Sequence, residues 1–293
     1  MTQGFLNVLK PPGMTSHDIV SAVRRMYHLK RVGHTGTLDP SAAGVLPVGL
    51  GMATRLIEYL DKDDKSYRAE ITFGWSSDTG DDTGNEICRQ DFTMPTQEEI
   101  ACVLASFEGD IEQLPPMYSA IKVNGKKLYE LAREGKEIER KPRSVRIHKI
   151  TLVERRDDAI VIDVDCSKGT YIRTLCIDIG EKLGIPTVLS FLLRTKAGQF
   201  ELDSAKTLEE LAVLGEEALI LMDQVLSNIP SVQLTNGNGI AFENGRTVSI
   251  NKCKAKRVRV YVGDRFVGIA RVSQDGTKLI PEKVFHLAAD REE

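Results

Sequence analysis

The sequence predicts an α+β protein with a smaller β-rich region at its C-terminal end. Strand-like runs alternate with capped, amphipathic helical patterns through most of the chain. After Ile229-Pro230 the texture changes to short β runs separated by Gly and Asn. The composition, 41% hydrophobic and 28% charged over 293 residues, suits a chain that buries a core and excludes a disordered or fibrous one. A boundary is therefore placed near Pro230, dividing the chain into 1–230 and 231–293.

Each element has its own signal. Thr15 and Ser16 follow Pro11-Pro12-Gly13 and can cap a helix carrying Ile19, Val20, Val23, Met26 and Tyr27. Tyr67–Phe73 reads as a strand. Thr96 with Glu99 makes a capping box ahead of Ile100, Val103, Leu104 and Phe107. A short helix is expected over Lys126–Glu134, stopped by Gly135, and strands over Val145–Val153 and Ile160–Cys166. Thr170–Leu183 reads as a helix with the apolar stripe Ile172, Leu175, Cys176, Ile179 and Leu183, ended by Gly184. Two acidic, leucine-rich helices are expected between Thr207 and Leu226. The tail is read as all-β, with runs at Val248–Ile250, Val258–Val262 and Phe266–Val272.

Charge is uneven although its net value is only −3. Lys122 to Lys149 holds ten Lys/Arg against four Glu, and Lys252 to Arg259 holds five Lys/Arg and no acid. Two basic segments on a near-neutral body fit a phosphate-binding face; the plainer reading is solvated surface. Five scattered cysteines without a CxxC pair indicate neither a zinc ribbon nor a disulfide framework. With no signal-peptide pattern at MTQGFLNVLK and no apolar run approaching ~20 residues, a cytoplasmic setting is expected.

Several catalytic signatures can be set aside. Asp78-Thr79-Gly80 and Asp82-Thr83-Gly84 each spell an aspartic-protease triplet, but lie too close in one loop to come from separate lobes. That stretch is read as a solvated loop. No GxxxxGK[ST], GxSxG or paired-histidine zinc spacing occurs.

The stretch GHTGTLDPSAAGVLPVGLGMATR, Gly33 to Arg55, holds five glycines, two prolines and one acid, Asp39. Thr35 and Thr37 can hold a tight loop through local bonds. Local chemistry leaves two readings of Asp39. It can close an Asx-turn on its own backbone, or stand as a rigid carboxylate on a cleft floor, serving as nucleophile or base. The second needs a cationic partner to stay ionised where water is excluded.

These residues resemble the catalytic motif of the TruB family of pseudouridine synthases. KPPGMTS (Lys10 to Ser16), KSYRAEITFG, LPPMYSAIKVNGKKLYELAREG, SKGTYIRTL and FLLRTKAGQF resemble further motifs of the family, so the resemblance covers essentially the whole chain. It implies the pseudouridine synthase fold, with a mixed, mainly antiparallel central sheet flanked by helices and loops. It also implies an RNA-clamping insertion at about 108–145 and a PUA-like RNA-binding domain at 231–293. The implied activity is isomerisation of uridine 55 in the tRNA T-loop, with no metal or organic cofactor. No obligatory protein partner, guide RNA or membrane is implied, and a monomer is expected.

The resemblance also assigns roles. Asp39 is the catalytic aspartate and Arg173, off the apolar stripe of its helix, its counter-ion. Tyr67 stacks on the target base, Tyr171 and Leu192 line the pocket, and His34 fills the gap left by a flipped base. Lys10 joins the substrate-binding set through the KPPGMTS motif. Leu193 stands where the family motif usually has arginine, while Arg194 keeps the next one. A carboxylate can serve by attacking ribose C1′ or base C6, or by removing the 2′ proton. Two other classes remain: a non-catalytic RNA binder on this scaffold, and a guide-RNA-dependent relative. The joint presence of Asp39, Tyr67 and Arg173 argues against the first, and the KVNGKKLYELAREG insertion against the second.

Overall fold

Two sheets of different size follow from that texture. The computed structural model describes residues 2–60, 63–119, 122–123, 125–136 and 138–286. The larger sheet has nine strands. Seven run side by side in the order Gly4–Lys10, Ala43–Leu50, Thr187–Ala197, Lys65–Phe73, Ala159–Cys166, Arg143–Arg155, Gly109–Gln113. Val32–His34 and Phe200–Glu201 pair at its margins. Every pairing is antiparallel except one, where Leu193 and Arg194 lie opposite Ala43 and Gly44 in parallel. The fold is the mixed, mainly antiparallel α+β arrangement expected.

Alternation decides which face is covered. Along Lys65–Phe73 the residues Tyr67, Ala69, Ile71 and Phe73 are buried. They share a core with the helices Gln97–Ala105 and Ile172–Leu183. Thr96 and Glu99 form the expected capping box. The second helix ends at Gly184, whose φ of 71° is the left-handed cap that glycine adopts without strain. At the other end of the sheet, Thr15 caps Ser16–Met26, which buries Ile19, Val20 and Val23 against Leu6, Val8 and Val48.

Two expectations change, and one central strand enters that the sequence reading did not name. Only Leu208–Leu214 of the leucine-rich segment is an α-helix; 3-10 turns follow at 215–218 and 224–226. Gly215, at φ 55°, turns the chain so that Ile220 exchanges two 2.8 Å backbone hydrogen bonds with Phe5. Thr187–Ala197, which carries no alternation to announce it, is a central strand. The tail is not all-β: a five-stranded sheet over residues 231–284 is accompanied by the helix Asn236–Glu243. Its Asn-Gly-Asn-Gly start reads as a turn, but Thr235 caps it, Gly239 lies against Val262, and Phe242 is fully buried.

The two sheets share one core. Phe266, Ile269 and Phe285 pack with Phe5, Leu56, Leu60 and Val225. Arg55, the last residue of the Asp39 stretch, donates to the Val284 carbonyl at 2.7 Å and lies over the Phe285 ring. No described helix is long and apolar enough to cross a membrane.

Candidate active site

The loop between Val32–His34 and Ala43–Leu50 carries Asp39, and distant side chains hold it from three sides. Ser16 Oγ accepts from the Leu38 N–H at 2.9 Å and donates to the Leu38 carbonyl at 3.2 Å. Lys10 Nζ donates to the carbonyls of Pro40 at 3.2 Å and Ala42 at 2.6 Å. The Arg194 Nη2 donates to the Gly36 carbonyl at 3.1 Å. Buried donors brought from other strands and helices thus fix the loop by satisfying carbonyls of its irregular backbone.

The Asp39 carboxylate meets a side chain brought from a helix distant in sequence. Its Oδ2 lies 3.0 Å from Nε of Arg173; the side chains are 38% and 6% exposed respectively. The carboxylate therefore has an open side, whereas its partner is enclosed. Arg173 is the second residue of the helix Ile172–Leu183, and its other nitrogens donate to the Thr79 carbonyl at 3.1 Å and the Tyr118 carbonyl at 2.6 Å. A guanidinium held at all three nitrogens has no freedom to swing, which is a use of the planar fork that lysine cannot reproduce. Enclosure in the cleft pushes the Asp39 carboxyl above the ordinary aspartate value. Arg173 and Lys10 oppose that rise and Asp81 adds to it.

Asp81 corrects the reading of its loop as solvated. It is buried, accepts from the hydroxyls of Thr79 at 2.7 Å and Thr83 at 2.6 Å, and lies 4.0 Å from Arg173 Nε. The loop docks on the margin of Thr187–Ala197: Leu189 N–H donates to Gly80 O at 3.1 Å, and Asp82 N–H donates to Leu189 O at 3.1 Å. Arg173 thus sits between two carboxylates. The threonines flanking Asp81 at two residues each signal a carboxylate that accepts locally, though not that it lies beside Arg173.

The other expected site residues fall as follows. Tyr67 and Leu192 are buried in one apolar cluster with Leu38 and Ala42, beneath the loop that carries Asp39. Leu192 also lines a small cavity, about 10 Å³, with Asp39, Ser41, Ala42, Asp81 and Asp82. Tyr171 is the residue ahead of the Arg173 helix; lacking a side-chain cap, its backbone is held by buried Gln113, which accepts from its N–H at 3.0 Å and donates to its carbonyl at 3.2 Å. Its phenol lies within the fields of Asp39 and Arg173. His34 closes the strand that enters the loop, opposite Val48.

Lys10 corrects its assignment as a substrate contact. It is 0% exposed, and its third proton goes to the Pro11 carbonyl at 2.9 Å. Burial holds its pKa down at about 8. With every donor spent on backbone it is a clamp on the Asp39 loop and presents no surface to RNA.

The basic segments also divide. Lys141, Arg143 and Lys149 are exposed, as are Lys252, Lys254 and Lys256. Arg257 instead pairs with Glu282 and lies over the Tyr59 ring. Arg259 donates to the carbonyls of Ile229 at 2.8 Å and Asp223 at 3.0 Å. These two arginines join the smaller sheet to the larger body. Among the described residues no group of His, Cys, Asp and Glu has the arrangement of a metal site.

A model of the TruB family pseudouridylate synthase N-terminal domain matches residues 24–172, and one of the pseudouridine synthase II TruB C-terminal region matches residues 230–285. The chain is 48% identical to a tRNA pseudouridine synthase B of Alkaliphilus oremlandii over 99% of both chains. It is 52% identical to a tRNA pseudouridine synthase B of Symbiobacterium thermophilum over 79% of this chain and 78% of that one. Among solved structures, it resembles a chain of an H/ACA RNP bound to a substrate RNA containing 2′-deoxyuridine, with a TM-score of 0.74 and 24% identity, over 97% of this chain and 85% of that one.

Proposed function

The chain belongs to the TruB family of pseudouridylate synthases, isomerases that form pseudouridine, and acts on tRNA; on that premise we propose that its target is uridine 55 of the T-loop, that Asp39 carries the chemistry, and that the chain works without a guide RNA. The reaction breaks the C1′–N1 glycosidic bond, turns the uracil and joins C1′ to C5. The C5 proton leaves and N1 gains one, so nothing is oxidised or reduced. Attack on C1′, attack on C6 and removal of the 2′ proton all begin from an ionised carboxylate at one fixed point.

The observation that carries this reading is the Asp39–Arg173 pair, at 3.0 Å, with the carboxylate open on one side and the guanidinium buried. A target base reaches the carboxylate only after leaving its stack, at a cost of a few kcal/mol. Tyr67 and Leu192 form the apolar wall beside Asp39 on which a uracil can rest, and His34 is the candidate to occupy the vacated space in the RNA. The exposed lysines of residues 122–149 and 252–256 and the β-rich tail, read as PUA-like, supply sequence-independent phosphate contacts. Guide-independence is supported by 48% identity over the whole length of a tRNA pseudouridine synthase B, against 24% to the ribonucleoprotein chain. The test is mapping of pseudouridine in a T-loop transcript treated with the pure chain. Pseudouridine at position 55 alone is expected; none without added RNA or protein contradicts the reading.

A further inference from the structure

We propose that Arg194 is a positioning residue for this reaction, fixing the ring of Tyr67 against the loop that carries Asp39 through one buried guanidinium. The proposal rests on the functional reading above. Arg194 is 1% exposed, the largest side chain so completely buried among the described residues. Burying a cation is costly unless its donors are directed, and here two of its nitrogens are directed at backbone carbonyls. Nε donates to the Val45 carbonyl at 2.7 Å and Nη2 to the Gly36 carbonyl at 3.1 Å, and the guanidinium lies near enough to Tyr67, its direct cross-strand partner, to favour the ionised form of the phenol.

The backbone explains how one residue reaches all three. Arg194 lies directly opposite Tyr67 in the antiparallel pairing and opposite Gly44 in the single parallel pairing of the large sheet. Its side chain therefore stands where the Tyr67 strand, the strand leaving the Asp39 loop and the loop itself converge. Two glycines of the Asp39 stretch lie directly against Arg194. A Cβ on Gly44, at φ 113°, would overlap the Arg194 backbone, and Gly36, at φ 63°, takes a left-handed turn within contact distance of Nη1. Gly44 thus allows the strand that carries this arginine to approach the Asp39 stretch closely. A uracil resting beside Tyr67 is held at a set distance from Asp39 only if ring and loop share a common anchor, and an error of ~1 Å in such an arrangement costs on the order of 10²-fold in rate.

The test is a double-mutant cycle on single-turnover pseudouridine formation, with tRNA Kd and thermal unfolding measured on every variant. Arg194→Lys keeps the charge but not the fork. We expect its rate to fall ~10–100-fold with Kd within about threefold of wild type and the fold retained. In a Tyr67→Phe background, where the hydroxyl is gone, the further loss from Arg194→Lys is expected to be at least about threefold smaller. Full multiplicativity of the two losses, or an Arg194→Lys enzyme of normal rate, overturns the proposal. If Arg194→Lys does not fold, Tyr67→Phe alone decides: a rate loss of about fivefold or more at unchanged Kd supports the anchor, and an unchanged rate overturns it. Wild-type protein that forms no pseudouridine in the same assay overturns the functional reading itself.

Discussion

Arg173 holds Asp39 from inside the protein: its Nε lies 3.0 Å from Oδ2, while its remaining donors bind the Thr79 and Tyr118 carbonyls. The charge that keeps the carboxylate ionised is thus built into the fold and is not supplied by substrate. Arg173→Lys retains the charge and loses the geometry. Its single-turnover rate is expected to fall by ~10²-fold or more with little change in tRNA affinity. Equal losses in affinity and rate, compared by filter binding and quench flow, would point to an RNA contact instead.

The pH profile follows from the same pair. Enclosure raises the Asp39 pKa, with Arg173 pulling against it. The reactive form is the carboxylate, so activity should decline as pH falls through a value above the usual aspartate 3.8. Replacing Arg173 by Met removes the opposing charge, and the acid limb of the residual rate should move to higher pH. A limb that stays put or moves down assigns the titration to another group.

Lys10 gives a prediction of opposite character. Because its ammonium binds three backbone carbonyls and touches no solvent, Lys10→Met should lower the unfolding temperature and the rate together. The salt dependence of tRNA binding should be unaltered. A shallower salt slope would restore Lys10 as a phosphate contact.

The C-terminal basic segment should split into two classes. A Lys252→Gln, Lys254→Gln, Lys256→Gln triple variant is expected to flatten the salt slope of tRNA affinity by up to about three phosphate contacts, without lowering the unfolding temperature. Arg257→Ala and Arg259→Ala should do the reverse, because those side chains tie the small sheet to Tyr59, Asp223 and Ile229. Indistinguishable behaviour of the two classes contradicts this division.

Much of this was legible in the sequence where the signal was local. Thr15, Thr96 and Gly184 mark helix ends through backbone chemistry within a few residues, and each helix boundary falls there. Asp39 stood out as the only acid in a glycine-rich stretch, and Arg173 as the residue off an apolar stripe. What escaped was set by contacts across the sheet. Nothing near Lys10 in sequence says that its ammonium ends on Pro40 and Ala42, nor near Asp81 that it flanks Arg173. Arg194 looked like one basic residue of a motif, and only strand pairing shows it facing Tyr67. The helix Asn236–Glu243 was hidden because its glycines read as turn signals, although one of them, Gly239, is needed for close packing on Val262.

The central claim is that the Asp39 carboxylate performs the isomerisation. The most direct measurement compares wild type and Asp39→Asn, purified alone, for pseudouridine formed at position 55 of a T-loop transcript, with tRNA Kd measured in parallel. Asparagine keeps the shape but can act neither as base nor as nucleophile at neutral pH. The account predicts a loss of at least ~10⁴-fold in turnover with affinity nearly kept. Measurable multiple turnover by pure Asp39→Asn protein would contradict it.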